Sequence, residues 1–182
     1  MGKVLSLVIL LTIVVFQLKA EAQPKHTKTW MHEAIEASIK GDFEKAKNIF
    51  HTILKMNPNN IYALNNLGKI YLDSKKFKKA IPLLKKSWQL NPKFYMAGNT
   101  LGDAYKQNGE YQKAETILKE VIKVKPEFEL SYLNLGEVYF LQNRYDDAEK
   151  LLSHAQSLMP ELKRPRLFLD KIKSLTTQQI DD

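Results

Sequence analysis

Four histidines, at positions 26, 32, 51 and 154, and several glycines within helix-forming runs are the residues whose types could do chemistry. His32 and Glu36 stand four apart, which puts both on one face of a helix and offers a metal two ligands. A structural or catalytic zinc takes three or four protein ligands, and no third stands near them in the sequence. There is no cysteine, so disulfides, thiolate metal sites and a cysteine nucleophile are excluded. Ser153 precedes His154, but adjacent residues on a helix do not face each other. The stretch LGDAYKQNGEYQKA, residues 101–114, carries Gly102 and Gly109 and raises the question of a phosphate loop. Neither G-x-G-x-x-G nor G-x-x-x-x-G-K-[ST] occurs. The residues therefore read as those of a non-enzyme, with no cofactor and no metal.

What positions these residues is a repeat. Prolines fall at 58, 92, 126 and 160, glycines at 68, 102 and 136, and alanines at 46, 80, 114 and 148. Aromatics at 43, 77, 111 and 145 and tyrosines at 71, 105 and 139 keep the same interval of 34. Five position classes locked to one period mark a repeat architecture. Within each period the apolar spacing is helix, turn, helix: Leu64, Leu67, Gly68 and Tyr71 share one face, and Phe77, Ala80, Ile81, Leu84 and Trp88 another. Gly41, Lys75, Gly109 and Asn143 occupy the junctions, where a left-handed residue ends a helix, and lysine is the least comfortable of the four. Gly102 is expected to make room for Ala114 and Tyr111. Pro82, inside a second helix, is expected to kink it near its first turn, at a cost of up to ~3 kcal/mol.

With these residues in place the chain resembles the tetratricopeptide repeat family. That signature has large residues at the fourth, seventh and eleventh places, small ones at the eighth and twentieth, and a proline near the end. The fourth place holds Trp30, Leu64, Gly98 and Tyr132, and the eighth Ala34, Gly68, Gly102 and Gly136. The resemblance implies an all-α, right-handed α-solenoid of four units, 27–60, 61–94, 95–128 and 129–162, with a capping helix and tail over 163–182. The first helix of unit one, with Glu33 and Ala37 at two bulky places, is expected to pack loosely. Gly98 is expected to leave a shallow gap or admit a close neighbour. In the cap, Leu167, Phe168, Leu169, Ile172 and Leu175 form the expected apolar stripe, with Asp170 and Lys173 toward water.

In this family the first helices line a concave groove. Carried over, groove positions include Tyr62, Asn65, Asn66 and Lys69 in unit two, Asn99, Thr100 and Asp103 in unit three, and Asn134, Glu137 and Phe140 in unit four. Unit one adds Met31, Ile35 and Ile39. Asn66 and Asn134 stand where family members often hold a peptide main chain, and an amide suits that by donating and accepting at once. The resemblance implies a scaffold or adaptor that takes a protein or peptide ligand. The lysine, arginine and asparagine clamp with which some members grip a chaperone's terminal carboxylate is not assembled, and Asp103 and Glu137 would repel one.

Residues 1–22 join a basic start, Met1-Gly2-Lys3, to an apolar run from Val4 to Phe16 and an A-x-A site at Ala20-Glu21-Ala22. That is the pattern of a secretory signal peptide cleaved after Ala22, followed by a short linker, 23–26. It implies an extracytoplasmic protein, most simply of a bacterial periplasm. The alternative is a structural subunit of an envelope complex, anchored by residues 4–18. Cleavage would leave 26 Lys and Arg against 19 Asp and Glu, a formal charge of +7. Lys75, Lys76, Lys78, Lys79, Lys85, Lys86 and Lys93 crowd unit two. Export argues against nucleic acid as their partner and leaves peripheral contact with a membrane or envelope. The sequence sets no oligomeric state.

Overall fold

The computed structural model describes residues 27–178, so the leader, the linker and the last four residues of the tail lie outside the described residues. Among the described residues there are nine helices and no strand. They are α1 (27–39), α2 (Phe43–Met56), α3 (Ile61–Asp73), α4 (Phe77–Leu90), α5 (Tyr95–Gln107), α6 (Tyr111–Val124), α7 (Glu129–Leu141), α8 (Tyr145–Leu158) and α9 (Lys163–Gln178). The four expected hairpins are thus present, with an added helix at the C-terminal end. First helices of successive units touch one another, α3 with α5, α5 with α7 and α7 with α9. Among the described residues no such contact joins successive second helices, so the first helices form the inside of the curve.

Each hairpin closes on a left-handed residue, and φ is 82° at Gly41, 56° at Lys75, 79° at Gly109 and 60° at Asn143. The same two hydrogen bonds recur at all four. Lys75 N–H donates to the Leu72 carbonyl at 2.7 Å and Lys76 N–H to Tyr71 at 2.8 Å. Gly109 donates to Lys106 at 3.1 Å and Glu110 to Tyr105 at 2.9 Å. These are Schellman turns, which satisfy carbonyls that the helix end would leave open. At Lys75 the Cβ bears the steric cost that glycine escapes.

A wholly buried side chain recurs every 34 residues on the second helices: Phe50, Leu84, Leu118 and Leu152. The last three fill the notches at Gly68, Gly102 and Gly136, where an added Cβ would stand 2.7, 2.6 and 2.8 Å from the leucine. The expectation that Ala114 and Tyr111 crowd Gly102 is therefore corrected to Leu118. A long helical side chain leans back toward its own N-terminus, so the residue one turn further on reaches the notch that alanine is too short to fill. Gly98 admits a close neighbour: its Cβ would lie 2.5 Å from Val121 Cγ2 and 2.8 Å from the Trp88 ring.

Unit one keeps a smaller core of its own. Ala34, Ala37, Ala46, Phe50 and Ile53 are buried there against Ala63 and Leu67 of α3, and Glu33 pairs with Lys45 at 2.9 Å. At the other end α9 packs on α7 and α8, burying Ile172, with Phe168 and Leu169 packed against the core. Asp170 and Lys173 are exposed. Leu167, expected in the stripe, is 54% exposed, and Pro165 is buried instead. The packed stripe runs 165, 168, 172, and two residues' displacement turns Leu167 about 200° away from Pro165.

Candidate functional site

The residues expected in the groove stand on the first helices α1, α3, α5 and α7, and the N- and C-terminal halves of this layer differ. In the C-terminal half, Lys106 on α5 is 5% exposed and Glu137 on α7 is 1% exposed. Lys106 Nζ donates to Glu137 Oε2 at 2.7 Å and to Asn134 Oδ1 at 2.7 Å, and lies 2.8 Å from Asp103 Oδ1. Asn134 Nδ2 donates to Asn99 Oδ1 at 3.0 Å, and Gln107 donates to Asp103 Oδ2 at 3.0 Å. From α9, Arg164 reaches Glu137 with Nε at 2.5 Å from Oε1 and NH2 at 2.7 Å from Oε2. Two cations and two carboxylates thus form one neutral cluster across units three, four and the cap.

This corrects the premise that Asp103 and Glu137 present free negative charge. Both are paired, and Asn134 beside them accepts from Lys106 and donates to Asn99 within the cluster. Phe140 is likewise engaged, its ring edge-on to Phe168 of α9 with centroids 5.1 Å apart. Arg164 was missed from sequence because it lies past the last full unit. Continuing the 34-residue count one unit further would have set it at a second place, in line with Tyr62, Met96 and Leu130.

The N-terminal half is open. Tyr62 is 54% exposed and packs edge-on against Phe94, with centroids 5.1 Å apart. Ile39 is 81% exposed and Met96 46%. Asn65 is buried, and its Oδ1 has no hydrogen-bond partner. Asn66 donates to the Tyr62 carbonyl at 2.9 Å, Lys69 pairs with Asp73 at 3.2 Å, and Thr100 donates to the Met96 carbonyl at 2.8 Å. The structure therefore brings Asn99, Asp103, Asn134 and Glu137 together, and leaves Tyr62, Asn65, Asn66, Lys69 and Thr100 with only local bonds or none.

Two of the histidines sit beside tyrosines. His51 Nε2 lies 3.2 Å from the Tyr71 hydroxyl, and His154 stacks edge-on against Tyr132 at 4.6 Å. Among the described residues no group of three or more His, Asp or Glu could hold a metal ion, and no helix is long and apolar enough to cross a membrane.

On the outer face Glu115 meets Lys119 at 2.6 Å and Arg144 at 3.2 Å. Burial pushes the Glu115 carboxyl up, but the hydrogen bond and charge of Lys119, with Arg144 behind them, outweigh it and hold the group below the usual carboxylate range.

Among known proteins, a stretch of 46 residues is 48% identical to the protein named "Uncharacterized protein ycf37" of Pyropia yezoensis, and the chain spans about a quarter of that relative's length, 26%. The crystal structure of MamA is similar over 85% of this chain and 86% of its own, at 28% identity and a TM-score of 0.71. TTC0263, a thermophilic TPR protein of Thermus thermophilus, matches over 85% and 84% at 23% identity and a TM-score of 0.70. Proteins built from such repeats are generally protein-interaction scaffolds. The tetratricopeptide repeat profile matches residues 39–81, 71–131 and 106–162, which together take in well over half of the sequence, and the chain belongs to the tetratricopeptide repeat family.

Proposed function

We propose that this chain is a scaffold that holds an extended peptide segment of a partner protein in the N-terminal half of its groove, across units one to three. The observation that carries this is the contrast between the halves. Large apolar side chains, Ile35, Ile39, Tyr62 and Met96, stand exposed on first helices, beside a buried amide oxygen on Asn65 that no donor meets. An unmet buried acceptor costs about 1–3 kcal/mol, which favours turning the Asn65 amide outward to a main-chain N–H of a bound peptide, while the apolar side chains set the register. In the C-terminal half the inner polar groups Asp103, Asn134 and Glu137 are instead engaged with Lys106 and Arg164. The role needs no catalysis. Its compartment is extracytoplasmic, the bacterial periplasm, a reading supported by the basic start, apolar run and A-x-A site of residues 1–22.

Selection of extended peptides from a random library against the full chain tests this, followed by titration of the best binder. Tyr62→Ala with Asn65→Ala is expected to weaken it at least tenfold, since each removes contact worth on the order of 1 kcal/mol. Asn134→Ala is expected to leave the affinity within threefold. Selected peptides that bind the double variant unchanged would overturn the assignment.

A further inference from the structure

Charge is segregated along the solenoid. Unit two, 61–94, holds eight lysines against a single carboxylate, Asp73, for a formal charge of +7, whereas unit three is neutral and unit four carries −4. Between Asp73 and Asp103 there is no acidic residue at all. The seven lysines in that interval, Lys75, Lys76, Lys78, Lys79, Lys85, Lys86 and Lys93, are all exposed. On other second helices several lysines have acidic partners, Lys47 with Glu44, Lys113 with Glu110 and Lys119 with Glu115. Among the described residues none of the seven is in an ion pair. Glu44 feels this set through Lys76 and is already hydrogen-bonded to Lys47.

At 100° per residue, Lys78, Lys79, Pro82, Lys85, Lys86 and Gln89 fall within an arc of about 120° on α4. The buried Ala80, Leu84, Ser87 and Trp88 lie on the opposite side. The outward arc is therefore a single-sign face with no aromatic side chain in it. A protein interface of any strength is organised around buried aromatic or aliphatic side chains, and the arc is centred on lysines, with one exposed leucine, Leu90, at its margin. Single-stranded nucleic acid is held by aromatic stacking in a basic groove, and the arc is neither aromatic nor concave. The cations are lysines throughout; the first arginine of the chain is Arg144. Lysine is a hydrated point charge without the fork that grips one phosphate bidentately. Such a face suits a broad, delocalised negative potential.

We infer that the outer face of α4 lies against an anionic phospholipid surface. Lysines near such a surface attract it additively and without specific geometry. Asp146, Asp147 and Glu149 on α8 are repelled by it, so unit two approaches while unit four tilts away. Both fates expected for the apolar run Val4–Phe16, leader or anchor, take the chain to a bilayer.

The test is flotation of the full chain with vesicles of phosphatidylcholine alone and of equal parts phosphatidylcholine and phosphatidylglycerol, at about 0.1 M salt, where screening extends over about 10 Å. The excess binding to the anionic vesicles is the readout, which cancels any contribution from residues 4–16. Replacing Lys78, Lys79, Lys85 and Lys86 together by Gln is expected to lower it several hundred-fold, about fivefold per lysine. A control with Lys119, Lys123, Lys150 and Lys171 replaced by Gln makes the same change in net charge and is expected to lower it less than tenfold. All eight positions are exposed, and circular dichroism checks the fold of each variant. Equal losses in the two variants, or no preference for the anionic vesicles, would overturn the inference. So would tighter salt-sensitive binding to polyglutamate, to duplex DNA, or to a second copy of the chain through acidic unit four.

Discussion

Replacing Lys106 by Met tests whether the neutral cluster holds the C-terminal half together. Methionine keeps most of the aliphatic stem and removes the ammonium group. The lost partners are Glu137 at 2.7 Å, Asn134 at 2.7 Å and Asp103 at 2.8 Å, in a site where Lys106 is 5% exposed and Glu137 1%. Breaking a buried ion pair by removing one partner costs about 3–5 kcal/mol, because the other charge stays buried. Here Glu137 keeps Arg164, whose side chain is half exposed, so the lower end, about 3 kcal/mol, is expected. At roughly 2–4 °C per kcal/mol for a chain of this size, Tm falls by about 6–12 °C. Thermal unfolding followed by circular dichroism reads the midpoint, and hydrogen exchange shows whether α7 and α9 lose protection first, as a solenoid that opens between units would. Lys106→Met combined with Glu137→Leu removes both buried charges, and the pair is expected to cost less than the sum of the single changes by about 1–3 kcal/mol. A single-variant loss below about 1 kcal/mol, or strict additivity in the pair, would refute the claim that buried electrostatics joins units three and four.

Two further outcomes follow from the second-helix and turn geometry. Lys75→Gly relieves a left-handed residue at φ 56°, worth about 1–2 kcal/mol, less about 0.4–1 kcal/mol of added chain entropy; denaturant titration is expected to show a gain of roughly 0.5–1 kcal/mol, and a loss would contradict the turn assignment. Glu115 has its folded pKa depressed by Lys119 and Arg144 against the opposing effect of burial, so its stabilisation is present above the ordinary carboxylate value and disappears as pH falls through the lower, folded value. Glu115→Gln is therefore expected to be less stable than the parent near neutrality and to converge with it on acidification; a gap that widens toward low pH has the wrong sign.

The hairpins were legible because their signals are local. A Schellman turn depends on a few consecutive residues, so Gly41, Lys75, Gly109 and Asn143 could be placed from the period alone, and all four adopt positive φ. The glycine notches were legible as positions but not as contacts. The 34-residue period says which residues are equivalent, while the direction in which a side chain leans decides that Leu118, not Ala114, enters the Gly102 notch. The polar cluster was hidden for a related reason. The bonds that join its units span 28, 31 and 35 residues, and no single repeat contains both ends of any of them. Lys106 beside Asp103 reads as an ordinary helical ion pair until α7 brings Glu137 and Asn134 against it.

The asymmetry of the groove and the asymmetry of charge fall on different units, and this separates two surfaces on one body. The self-bonded cluster ties α5, α7 and α9 into a closed C-terminal half, so a ligand there would have to displace charge-assisted bonds before gaining its own. At the other end, Ile39 and Tyr62 are exposed on first helices, while the lysines of α4 are exposed on the second-helix layer. Packed helices are separated by about 8–10 Å, comparable to the screening length at physiological salt. A peptide in the inner groove and an anionic surface against the outer face would therefore interact weakly with each other, and both could be held at once. Salt separates the two modes experimentally. Raising it from about 0.1 to 0.5 M is expected to strip the lysine face from anionic vesicles while leaving apolar peptide contacts nearly unchanged. Loss of both together would mean that one surface does the work of two.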